Sequence, residues 1–126
     1  MILLGVIKDI QKYYGMADVF VLPTMYDPFA QVCREALACG VPVITTKMNG
    51  ACEIIQDGFN GFVLDSWRDY PKLANFLLNF DDESKRIIMS KNSIDTVKNC
   101  SWSENSVAHV NIFNKIIEQK ISSYKK

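Results

Sequence analysis

The apolar positions of this chain fall into two rhythms that alternate along its first half. Short apolar runs at Ile2 to Leu4, Val19 to Leu22, Val41 to Thr45 and Phe62 to Leu64 have the length and β-branched content of buried strands. Between them the spacing changes to that of helices. Ile10 to Met16 reads as a short helix behind a capping Asp9, and Phe29 to Cys39 as a helix stopped by Gly40. In the latter, Phe29, Val32, Cys33, Ala36 and Leu37 form one stripe at the i, i+3, i+4 spacing that faces a sheet, with Arg34 outward and Glu35 at the stripe's edge. Gly50 to Ile55 reads as another short helix. Turn signals follow at Asp57-Gly58 and Asn60-Gly61, and the rest is helical: Trp67 to Leu78, Asp82 to Lys98 and Ser103 to Lys120.

Strands alternating with helices predict an α/β fold, a Rossmann-like parallel sheet wound in βαβ units and flanked by helices, with a helical C-terminus. Four strands are fewer than a complete doubly wound domain carries, and no glycine-rich phosphate loop opens the chain. The expectation is one partial domain over residues 1–126, with an N-terminal domain and the first strands absent. Composition removes several partners. With 14 basic and 14 acidic residues the formal net charge is zero, which gives no field for nucleic acid. No apolar run is long enough to span a bilayer, so a cytoplasmic setting is expected, with membrane contact at most peripheral. The lysine-rich stretch from Lys115 to Lys126 reads as a solvated helix end. Cys33, Cys39, Cys52 and Cys100 match no zinc spacing, and Cys33 and Cys39 read as small buried hydrophobes.

The candidate chemistry lies just after the second strand-like run. Asp27 and Glu35 stand eight positions apart across the start of the Phe29–Cys39 helix, with Pro28 at the favoured first helical position. In open α/β sheets, ligands bind outside the carboxyl ends of the strands. Eight helical residues span about 12 Å. Two carboxylates so placed would grip the two hydroxylated ends of a nucleoside-diphosphate sugar, while free N–H groups at Phe29, Ala30 and Gln31 face the phosphates between. The plainer reading of the same residues stays open: Asp-Pro after a strand is a common turn, and a mid-helix glutamate is usually just solvated.

A longer set of motifs goes beyond spacing. Gly5 to Ile10, Tyr13-Tyr14, Ala17 to Thr24, Asp27-Pro28-Phe29-Ala30 with Glu35-Ala36, Ala38 to Ile44, Asn49-Gly50, Glu53-Ile54-Ile55 and Asp57 to Val63 occur in that order. Together they resemble the donor-binding, C-terminal part of retaining GT-B glycosyltransferases of group 1, also called GT4, from about Leu4 to at least Trp102. The resemblance implies transfer of a sugar from a nucleotide donor, a UDP-sugar foremost, to a glycan or lipid-linked acceptor with retention. It implies no cofactor and no metal. It also implies that Asp27 is the catalytic-site carboxylate on the donor sugar, with Glu35 on the ribose. The backbone of Phe29, Ala30, Gln31 and Val32 would lie along the sugar and diphosphate, Asn49 and Gly50 would border the donor, and Val6, Ile7 and Asp9 would lie by the base. The family's usual residue at position 27 is glutamate. Aspartate is one methylene shorter, which moves the oxygens by more than about 1 Å against a useful hydrogen-bond window about 0.5 Å wide. The family's basic pair at the diphosphate is not found in this sequence, and Lys47 and Arg34 do not replace it. The chain alone is therefore expected to be inactive, completed by an N-terminal domain or a complementing chain. The alternative is a non-catalytic Rossmann-like remnant or partner-binding subunit of the same fold.

Three further features carry structural readings. Asp81-Asp82-Glu83 caps the following helix, His109 is a packing or surface histidine, and Trp102 is a packing anchor.

Overall fold

The computed structural model describes residues 1–124. Three parallel strands, β1 (Phe20–Leu22), β2 (Val43–Thr46) and β3 (Gly61–Leu64), form one sheet in the order β1-β2-β3. Phe20 pairs with Val43, and Ile44 with Phe62. Parallel neighbours need a crossover. Helix α2 (Gln31–Ala38) joins β1 to β2, and a 3-10 turn at Gly50–Ile54 lies between β2 and β3. Helix α1 (Ile10–Tyr14) precedes the sheet, and α3 (Tyr70–Leu78), α4 (Glu83–Val97) and α5 (Trp102–Tyr124) follow it.

Strand alternation divides the core into two layers. Phe20, Leu22, Val43 and Val63 pack with Tyr14, Cys33, Ala36, Leu37, Ala51 and Ile55. Val21, Ile44, Phe62 and Leu64 pack with Leu73, Phe76, Phe80 and Met89. Phe62 stacks on Phe76 at 4.4 Å and meets Phe80 edge-on at 6.0 Å. All four residues of β2 are buried, as expected of a parallel strand covered on both faces.

Ile2 to Leu4 forms no strand; these residues are 84%, 85% and 55% exposed. A strand exists only through a partner's backbone, and the outer edge of β1 carries none among the described residues. Helix starts shift where caps act. Asp69 accepts from the Lys72 N–H at 3.1 Å, so α3 begins at Tyr70 rather than Trp67. Asp82 accepts from the N–H groups of Ser84 and Lys85 at 2.9 and 3.3 Å, the capping role expected of the acidic run. The Ser84 hydroxyl, which donates to Asp82 Oδ1 at 2.6 Å, and then the Lys85 N–H hold that carboxyl below the ordinary range. A capping box extends α5: Ser101 Oγ accepts from the Glu104 N–H at 3.2 Å while Glu104 Oε2 accepts from the Ser101 N–H at 3.0 Å.

None of the side chains from Ser101 to Ser123 is buried. Trp102 is 79% exposed, with the Arg34 guanidinium 6.0 Å from its ring, so it is not the packing anchor expected. Nothing in the described fold covers the helix on which it stands. His109 is a surface residue whose Nδ1 lies 2.8 Å from the Asn105 carbonyl oxygen. Lys115 and Lys120 lie on α5, while Lys125 and Lys126 fall outside the described residues. Among the described residues no helix is long and apolar enough to cross a membrane.

Candidate functional site

Two loops leave the carboxyl ends of β1 and β2 and are tied together at once. Buried Thr45 donates its hydroxyl to the Leu22 carbonyl at 2.8 Å, and buried Thr46 to that of Thr24 at 2.7 Å. Further on, Asp27 and Asn49 form a parallel bridge. The Asp27 N–H donates to the Met48 carbonyl at 3.0 Å, and the Gly50 N–H to the Asp27 carbonyl at 2.9 Å. The loops approach so closely that a Cβ on Gly50 would lie 1.9 Å from the Pro28 carbonyl oxygen.

The segment from Asp27 to Ala30 is not helical: Ala30 is extended, with ψ 102°, and side-chain oxygens take N–H groups along it. Phe29 donates to Asp27 Oδ1 at 3.0 Å, and Ala30 to Asn49 Oδ1 at 3.1 Å. The helix therefore starts at Gln31, with Ala30 in the capping position and Pro28 outside it. Two of the three N–H groups expected to be free are thus occupied. The open ones among the described residues are those of Gln31 and Val32. Asp27 is half-buried, and its Oδ2 has no partner among the described residues.

The buried side is narrower than the expected stripe. With Val32 exposed, Cys33, Ala36 and Leu37 centre it. At 3.6 residues per turn, Glu35 lies about 150° from that centre and Arg34 about 110°. Glu35 is accordingly exposed and Arg34 half-buried, the reverse of the expected order for the two charged residues. Glu35 lines a small cavity of about 170 Å³ with Ile10, Gln11, Tyr14, Ala38 and Cys39. Tyr14 donates to the Val32 carbonyl at 3.4 Å. Burial, and then the Glu35 carboxylate, push its phenol above the ordinary range. Asp27 is not among the residues lining this cavity, so the two carboxylates do not share it.

Val6 and Asp9 are exposed and Ile7 half-buried, all just ahead of Ile10 at the same cavity. Asp9 caps α1 with no side-chain bond and pairs instead with Lys12 at 3.0 Å. On the other flank of α2 lies a cavity of about 600 Å³ whose walls include Phe29, Gln31, Arg34, Ile54, Glu104 and Asn105. No sequence pattern marked it, because much of its wall comes from the turn at Asn99 to Ser101 and the start of α5. Lys47 is engaged by Asp65, which Lys72 also holds at 2.8 Å; the two ammonium groups bring the Asp65 carboxyl down to about 2.

Asn49 and Gly50, expected to border the donor, play an internal part. Asn49 is fully buried. Its Oδ1 accepts from Ala30 and Ala51, and its Nδ2 donates to Thr45 Oγ1 at 2.9 Å and meets Cys33 Sγ at 3.5 Å. Its side chain therefore has no free group to offer a ligand. The sequence signal for this role was its place as a capping residue ahead of the 3-10 turn.

Cys33 is buried and Cys39 exposed, so only the first is the hydrophobe expected; Cys39 lies just past α2 and outside its buried face. Desolvation pushes the Cys33 thiol up to about 11, although the bond from Asn49 lowers it. Disulfide-exchange reagents attack thiolates that they can reach. At pH 8 the expected result is rapid labelling of Cys39 and Cys100, with Cys33 labelled only after denaturation. Mass-spectrometric mapping of labelled sites checks this, and early labelling of Cys33 would contradict the packing.

The family described as "Glycosyl transferases group 1" matches residues 1–99. Spore coat protein SA of Bacillus subtilis is 36% identical over 84 residues, covering 64% of this chain and 22% of that protein. An Escherichia coli protein named UDP-Gal:alpha-D-GlcNAc-diphosphoundecaprenol alpha-1,3-galactosyltransferase is 31% identical over 99 residues, covering 79% of this chain and 25% of its own length. Among solved structures, Anabaena Alr3699/HepE in complex with UDP-glucose superposes with a TM-score of 0.69 at 27% identity, over 95% of this chain and 31% of that one. The chain thus spans about a quarter of the length of the curated relatives it matches.

Proposed function

This chain belongs to the group 1 glycosyl transferases, and from that premise we propose that it is the donor-binding part of a retaining glycosyltransferase. The enzyme would move a sugar from a UDP-sugar to a glycan or lipid-linked acceptor. The observation that carries this reading is the Asp27 loop: a carboxylate with one oxygen free, three residues ahead of Ala30 and the open N–H groups of Gln31 and Val32. A carboxylate accepts sugar hydroxyls, and an open helix N-terminus favours phosphate. In this reading Asp27 Oδ2 takes a hydroxyl of the donor sugar. The Gln31 and Val32 amides face the diphosphate, and Glu35 takes the ribose hydroxyls beside Ile10 and Tyr14. Val6, Ile7 and Asp9 lie toward the base. A UDP donor is supported by two names: the Escherichia coli relative is named for UDP-Gal, and the Anabaena neighbour is described with UDP-glucose.

Acceptor binding and the charges at the leaving diphosphate belong to the rest of the enzyme, as a further domain or a complementing chain. The 126-residue chain by itself is expected to give no turnover of UDP-sugars. The resemblance also carries the expectation that no metal takes part. A chelator added to the intact, transferring enzyme should leave its rate unchanged, and loss of activity restored by a divalent cation would contradict this.

Titration of the intact protein with UDP-glucose and with UDP tests the reading. Glu35→Ala should weaken both about tenfold, since each ligand carries the ribose and a lost charge-assisted bond is worth about 1.5–3 kcal/mol. A protein that binds neither ligand would favour a non-catalytic domain of the same fold.

A further inference from the structure

We propose that Asn49 is the positioning residue of the donor-sugar site, acting from inside the protein to hold the Asp27 loop at its working height. This inference rests on the reading of Asp27 as the sugar contact. Four pieces of the fold converge on one amide that is 0% exposed. Oδ1 accepts two N–H groups, from Ala30 ahead of α2 and from Ala51 in the 3-10 turn, at 3.1 and 3.0 Å. Nδ2 donates to Thr45 at the end of β2 and meets Cys33 on α2. Thr45 passes the link on to the Leu22 carbonyl at the end of β1. All hydrogen-bonding capacity of the side chain is spent on the protein.

The main chain around Asn49 completes the clamp. Met48 and Gly50 hold the backbone of Asp27 on both sides, while the Asn49 side chain holds Ala30 three residues on. The segment from Asp27 to Ala30 is therefore pinned at both ends to one point. Helix α2 meets that point only at Ala30 and Cys33 and is anchored besides by Ala36 and Leu37 in the core. Loss of the amide should loosen the Phe29–Ala30 turn, whose Phe29 N–H holds the Asp27 carboxylate, and the Gly50 loop beside it, and so move that carboxylate more than the Gln31 and Val32 amides on the helix. Few other side chains come near this pattern. An apolar isostere leaves two buried N–H groups without an acceptor. Glutamine is a methylene too long. A protonated aspartic acid keeps the carbonyl for Ala30 and Ala51 and one donor for Thr45.

The test uses the intact protein, with UDP-glucose and UDP as probes and calorimetry as the readout. The quantity read is the factor by which the wild type prefers UDP-glucose over UDP, followed at pH 5.5 and pH 8. Asn49→Leu is expected to reduce that preference about tenfold, the scale of one or two lost bonds, while UDP affinity stays within about twofold. Asn49→Asp keeps an acceptor for Ala30 and Ala51 in either protonation state and should retain more of the preference than Asn49→Leu at both pH values. If Asn49→Leu does not fold, Thr45→Val gives the same reading, because it removes the amide's donor contact and keeps the shape. Equal weakening of both ligands in step with melting temperature would show a merely structural residue and overturn the proposal, as would an unchanged preference in a folded Asn49→Leu or Thr45→Val. A wild type without any preference for UDP-glucose would instead remove the reading of Asp27, and this inference with it.

Discussion

Replacing Asp27 with alanine in the intact enzyme is expected to slow sugar transfer roughly a hundredfold, since about 3 kcal/mol of charge-assisted bonding is lost at the reacting sugar. Stability should change little, because the half-buried carboxylate makes one bond to its own loop, to the Phe29 N–H. Asp27→Asn separates the two roles. Its amide oxygen can still accept from Phe29 and keep the turn, but the negative charge is gone. Asp27→Asn is expected to be nearly as slow as the alanine variant, with the melting temperature of the wild type. Rates close to wild type in both variants would remove Asp27 from the site and leave it as a turn residue.

The second large effect is structural. Gly50→Ala puts a methyl group 1.9 Å from the Pro28 carbonyl oxygen and 2.9 Å from its carbon. No side-chain rotation relieves a contact between Cβ and backbone. The loops must part, which lengthens the bond from the Gly50 N–H to the Asp27 carbonyl and strains that from Ala30 to the Asn49 amide. Overpacking of this kind, with buried donors left unpaired, costs about 3 kcal/mol. A lowered melting temperature together with loss of UDP-glucose preference is the expected pair of readouts. A variant as stable as the wild type would mean that the two loops do not meet as described.

Much of this was legible in the sequence because it is local. Gly40, at a φ of +76°, stops α2 as its position after an apolar stripe predicts, and the acidic run at Asp81 caps α4. The apolar runs of β2 and β3 announced a sheet covered on both faces. The failures are long-range. The start of α2 moved from Phe29 to Gln31: Ala30 is extended, its N–H held by Asn49, 19 residues away. No periodicity within the helix records that bond. The exposure of Val32 narrowed the buried stripe and so exchanged the exposures of Arg34 and Glu35. Ile2 to Leu4 had the composition of a strand, but pairing requires a second backbone. Trp102 had the size of an anchor, but its helix has no described surface to anchor against. The resemblance placed Asn49 as a residue bordering the donor; the coordinates show a buried amide whose four partners all lie within the protein.

The most direct test of the central claim is a crystal structure of the intact protein with UDP-glucose. The account predicts a sugar hydroxyl within about 3.2 Å of Asp27 Oδ2. It also predicts the diphosphate facing the Gln31 and Val32 amides and the ribose on Glu35. A nucleotide sugar seated elsewhere, with Asp27 Oδ2 facing only solvent, would contradict it.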